Sequence, residues 1–96
     1  MKARTKLDVR ITPEMEMAMM LEPQRWPMWP LLPVKHRRSD GPRPRVGVVA
    51  FVEGYDAAQG VVMFAPNVNM YDDNIDAAPF QPRRAADLVA EGWIVD

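Results

Sequence analysis

Few side chains in this sequence have the chemistry to act on a substrate. The single histidine, His36, stands three residues before the single serine, Ser39, with Asp40 beside it. Nucleophilic catalysis needs a base held between nucleophile and orienting carboxylate. Three neighbours at a strand end do not build that relay, so no catalytic residue is assigned. A lone histidine on an alternating strand reads as a packing or surface group. Asp72-x-Asn74-x-Asp76 has the oxygen spacing that opens a calcium loop, but the sixth position is Ala77 instead of glycine and the twelfth is Arg83 instead of glutamate. Asp72 and Asp73 read instead as solvated turn residues. Cysteine is absent, and there is no glycine-rich phosphate loop and no dinucleotide fingerprint. Neither metal nor cofactor is expected, and the chain is read as a non-enzyme.

Binding chemistry is better represented. Lys35, Arg37, Arg38, Arg43 and Arg45 form a basic patch, to which Arg83 and Arg84 add if the fold brings them near. Trp26 and Trp29 are large apolar bodies with one N–H donor each. They read as a lid over a sheet face, or as an aromatic platform that grips a partner or stacks on a base. Arg37, Arg38, Arg83 and Arg84 around phosphate, with Trp26 or Trp29 on a base, would make a nucleotide site. An acidic pI of 5.8 and the absence of a known nucleic-acid motif argue against DNA or RNA.

The elements that carry these residues follow from patterning. Leu7, Val9 and Ile11 alternate with polar residues, as in a strand. Thr12-Pro13-Glu14 opens a short helix over 13–22, with threonine as cap, proline at the first position and acid in the first turn. Met15, Met17, Met19 and Leu21 also alternate as a strand would. Cap chemistry and the weak β preference of Met and Glu decide for helix. Such a cluster reads as core filler or as an adaptable binding surface. Four prolines from Pro23 to Pro33 exclude regular structure through most of that stretch.

Leu32, Val34 and His36 then alternate as a strand, which Pro33 places at an edge or at its own beginning. Ser39 to Pro44 is a loop. Arg45 to Glu53 is the strongest strand, with Val46, Val48, Ala50 and Val52 on one face and Val49 and Phe51 on the other, so a central position is expected. Gly47 inside it marks a bulge or close backbone approach. Val61 to Ala65 returns antiparallel. Both faces of this hairpin are apolar and need cover. One cover is the C-terminal helix; the other is the methionine helix with the Trp-Pro segment, or a second copy of the chain. Pro82 opens that helix, Ala85, Leu88 and Val89 are its apolar stripe, and Gly92 ends it, with Trp93 folding back on Leu88 or Val89. Arg83 and Arg84 would then oppose the helix dipole in the first turn. Trp93 to Asp96 is a last short strand.

Ninety-six residues make one domain, with 1–25 a lead-in and 26–96 a sheet-and-helix module. The fold class is α+β, with an antiparallel sheet of about four strands. Apolar content of 48% and charged content of 26% suit a soluble globular chain, not a disordered one. Residues 1–45 carry ten Lys/Arg against five Asp/Glu, and 46–96 carry two against eight. The halves therefore either complement each other or leave one basic and one acidic face. The basic start lacks an apolar signal region and no run is long enough to span a bilayer, so a cytoplasmic protein without membrane contact is expected.

Trp-Pro-x-Trp-Pro-Leu-Leu-Pro-Val-Lys-x-Arg (26–37), Gly47-Val48-Val49, Asn69-Met70-Tyr71-Asp72 and Leu88-x-x-x-Gly92-Trp93-x-Val95-Asp96 resemble segments of short proteins encoded by bacteriophages and prophages. The resemblance covers the chain from Trp26 onward in scattered blocks. It implies expression in an infected bacterium and an accessory role without enzymatic activity. The expected functions are binding to a host or phage protein, as an inhibitor of a host defence system such as an anti-CRISPR or other anti-defence protein; capture of a nucleotide signal; or a structural part of the virion. A homodimer is compatible with each.

Overall fold

A computed structural model describes residues 12–38 and 45–96. The strand expected at 7–11 and the loop at 39–44, with Arg43, lie outside the described residues. Helix α1, Pro13–Met20, starts as its cap chemistry requires: Thr12 is extended, and its hydroxyl accepts from the Met15 N–H at 3.2 Å. Pro23 begins a short 3-10 turn, Pro23–Arg25. Five strands follow: β1 (Leu31–His36), β2 (Val46–Ala50), β3 (Val61–Pro66), β4 (Gln81–Arg84) and β5 (Trp93–Val95), with helix α2 (Ala85–Glu91) between the last two. All pairings are antiparallel, in the order β4-β3-β2-β1-β5. The fold is thus α+β with five strands where about four were expected, and β2 takes the central place expected of it.

Three local readings need correction. Gln81–Arg84 is a strand, not a helix start, and α2 begins at Ala85. Pro82 suits both, because a missing N–H is harmless at the first helical position and equally on the outer side of an edge strand. Pairing of Arg83 with Val62 and of Arg84 with Val61 decides for the strand, and Arg84 is the extended residue that precedes α2 instead of part of its first turn. Pro33 sits within β1, which is bonded on both sides. Even-numbered residues of β1 turn their backbone groups to β2, as in His36 N–H to Arg45 O, while odd-numbered ones turn to β5, as in Asp96 N–H to Pro33 O. The missing donor of Pro33 therefore faces the end of β5 and leaves the β2 ladder whole. Finally, β2 stops at Ala50, so Phe51 and Val52 lie beyond the strand and are exposed.

Alternation divides the sheet into two faces. Leu32, Val34, Val49, Val62, Phe64 and Trp93 point to one side and form a single core with Met20, Trp26, Ala85, Leu88 and Val89. Each fully buried Leu or Val there contributes about 1.5–3 kcal/mol. Gly47 is required by this packing, since a Cβ would stand 2.9 Å from the Phe64 ring and from the Ala65 carbonyl. Gly92 ends α2 at φ 111°, its N–H on the Val89 carbonyl. Both helices and Trp26 occupy this one side, which corrects the expectation that the methionine helix and Trp-Pro segment cover the opposite one. Val48, Ala50 and Ala65 point away from the helices and are fully buried as well. Among the described residues the segment 67–80 serves that side, where Val68, Met70 and Tyr71 share a cleft with Pro33 and Val46.

Candidate functional site

The two tryptophans of the Trp-Pro stretch part company. Trp26 is 5% exposed and its indole N–H donates to the Met19 carbonyl at 2.7 Å. Tyr55 donates its hydroxyl to the Met20 carbonyl at 2.6 Å, and its ring meets Trp26 edge-on. The last carbonyls of a helix lack partners within it, and here two aromatic side chains supply them. Burial pushes the Tyr55 phenol up from 10.0 to about 12. Trp29, by contrast, is 56% exposed and leans on Phe51 with ring centroids 5.9 Å apart.

The basic residues are similarly divided. Lys35 is paired with Asp96 at 3.6 Å, an ion pair that joins the basic and acidic halves of the sequence. Arg37 and Arg38 are exposed at the His36 end of β1. Arg45 lies near them in register, with its guanidinium 5.4 Å from the centre of the Trp93 ring. Arg83 bonds to Glu91 of α2. Register puts Arg84 at the Val61 end of β3, opposite the end where Arg37 and Arg38 emerge. The structure therefore does not bring Arg37, Arg38, Arg83, Arg84 and an exposed indole to one place. His36 is buried, with Nδ1 accepting from the Arg38 N–H and Nε2 placed to donate to the Glu91 carbonyl at 2.8 Å. Both nitrogens are engaged, Nε2 in tying β1 to α2 and Nδ1 in the turn after β1, which leaves neither to act as a base. Asp72 accepts from the Asn69 N–H in a turn of the loop, as an exposed Asx residue does.

What the structure does assemble is an apolar groove of about 470 Å³. Met15 and Met19 form one wall, one helical turn apart on α1. Trp26 and Met28 form another, and Leu32 and Val95 lie between them where β5 stops short of the start of β1. Glu22, Arg25 and Asp96 mark the rim, with Glu22 and Arg25 paired at 3.1 Å. Helical spacing settles the two readings of the methionine cluster by sharing it out. Met20 and Met17 turn into the core, while Met15 and Met19 turn out and are 43% exposed. Met28 and Trp29 carry the apolar surface on from the groove to Phe51. Met28 and Phe51 were not legible as site residues, since one sits in a proline-rich stretch without period and the other reads as strand. The density of methionine and the two tryptophans of the Trp-Pro stretch pointed to this surface.

Among the described residues no group of three or more His, Cys, Asp or Glu could hold a metal ion, and no helix is long and apolar enough to cross a membrane. No protein-family model, curated protein or solved structure matches the chain.

Proposed function

We propose that the protein acts by binding and not by catalysis, as a bacteriophage accessory protein that occupies a host protein in the cytoplasm and so inhibits a host defence system. The observation that carries this reading is the methionine-walled groove, whose Met28 is followed in the chain by the exposed Trp29 with its Phe51 neighbour. Exposed apolar patches of this extent mark interaction sites. Tryptophan is the residue most enriched among binding hot spots, and methionine walls repack around different side chains. The resemblance of the Trp-Pro segment and the C-terminus to phage proteins supports the setting.

The test is plating efficiency of a phage on bacteria that carry a set of defence systems and express the chain. Wild type is expected to restore plating against at least one system. M19E and M28E, substitutions at exposed positions that leave the core intact, are expected to abolish the effect. If wild type protects against none, or if both groove variants protect as well as wild type, the reading falls.

A further inference from the structure

Among the described residues the edges of the sheet are poor templates for a partner strand. On β4 the odd-numbered residues face β3, as the Ala85 N–H on the Gly60 carbonyl shows, so Pro82 and Arg84 face outward. Pro82 has no donor there, and a charged residue stands beside it. On β5 the outward N–H of Val95 is taken by the buried Glu16 carboxylate at 2.8 Å. Where β5 ends, the free side of β1 presents Leu31, whose N–H is bonded to the Met28 carbonyl, and Pro33, which has none. Each of these described stretches of edge is blunted, which favours association through side chains.

The surface that remains has a knob and a hole side by side. Trp29 projects next to the groove walled by Met15, Met19 and Met28, joined to it through Met28 itself. A knob and its matching hole on different faces would generate open chains, whereas both on one patch close under a two-fold axis. The rim suits a second copy too, because it carries both signs, Glu22 with Arg25 on one side and Asp96 on the other. A self-complementary contact needs such a mixture. Met15, Met19, Met28, Trp29 and Phe51, each between 43% and 56% exposed, offer roughly 450 Å² of apolar surface per copy. With the rim, the contact reaches about 1,000 Å² across two copies, the lower bound of specific interfaces.

We propose that two copies of the chain form a two-fold dimer in which Trp29 of each enters the methionine groove of the other. The small area makes this dimer weak and concentration-dependent. It sheathes the groove until a partner competes for it. The inference rests on the groove being a binding surface, but not on which partner uses it or where the protein comes from.

Sedimentation measured across a wide concentration series, with acrylamide quenching of tryptophan at each point, tests this. Trp26 and Trp93 are buried in the monomer, so quenching reports Trp29. Wild type is expected to pass from monomer to dimer mass with rising concentration, and its quenching constant is expected to fall severalfold in parallel. W29A is expected to stay monomeric throughout with an unchanged circular dichroism spectrum. M19E serves as a second variant, narrowing the groove without touching the knob, and is expected to lose dimerisation while Trp29 stays quenchable. Monomer mass at every concentration, or association of W29A and M19E equal to wild type, overturns the proposal. The plating assay separates the two ideas: a dimer that restores phage plating against no defence system sinks the partner reading alone, and a strict monomer that restores it sinks the dimer alone.

Discussion

Trp26 and Trp29 stand three residues apart, have identical chemistry, and differ in what their surroundings allow. Trp26 has a carbonyl within reach and a ring to meet, and so can be buried with its donor satisfied. Trp29 has the Phe51 ring beside it and stays 56% exposed. That difference depends on contacts with residues up to 29 positions away, such as Tyr55, and no periodicity in a proline-rich stretch reports it. Tyr55 itself makes the most testable residue-scale claim. Its phenol is raised from 10.0 to about 12 by burial, so the folded state holds the proton longer than the unfolded chain does. Its contribution to stability is complete below pH 10 and is lost as pH rises from 10 towards 12. The loss is smaller than the separation of the two values alone implies, because the ring is only part-buried and solvent screens the phenolate. Y55F should cost about 1 kcal/mol at neutral pH by removing the bond to the Met20 carbonyl. It should also flatten the fall between pH 10 and 12, as urea denaturation at a series of pH values would measure. An equally steep fall in Y55F would assign the alkaline loss elsewhere.

At the scale of elements, the cap of α1, the central strand β2, the antiparallel return of β3 and the stripe and glycine stop of α2 were all legible, because each is written in spacing of local residues. β4 was not. Gln81-Pro82-Arg83-Arg84 has no apolar alternation, and it is a strand only because β3 offers it a ladder. Helix α1 is likewise more than its own propensity. Glu16, in its first turn, is buried against β5 and accepts from the Val95 N–H, so the helix closes a sheet edge that would otherwise be open to other chains. E16A should leave that amide without a partner and cost about 1–3 kcal/mol. E16Q keeps an acceptor oxygen and should stay within about 0.5 kcal/mol of wild type. Amide hydrogen exchange at Val95 distinguishes the two, with fast exchange expected in E16A only. Equal protection in E16A and wild type would mean that the carboxylate is incidental to the edge.

For the whole molecule the need for two covers on the valine-rich hairpin was correctly legible from its two apolar faces, but not which segments provide them. Helices announce themselves by period, and both of them went to one side. The other side falls to 67–80, which in sequence reads as an exposed Asn- and Asp-rich loop. Its apolar residues, Val68, Met70, Ile75 and Phe80, are part-buried, while the Asn and Asp between them face water or hold turns. The spacing of those apolar residues is irregular because a loop that drapes over a sheet has no helical or pleated repeat to obey. This predicts an inversion of what hydrophobicity alone suggests. Replacing Val68 and Met70 together by serine should destabilise the protein by about 1–3 kcal/mol and raise binding of an apolar dye, because both are part-buried and line one cleft with Pro33 and Val46. Replacing Met15 and Met19 by serine removes more apolar atoms, yet should change the stability of the monomer by less than about 0.5 kcal/mol, because those side chains are spread over an open groove. Urea midpoints of the two double variants, measured at a concentration where wild type is monomeric, decide the matter. If the loop pair proves neutral and the helix pair costly, the assignment of cover and groove to these two surfaces is reversed.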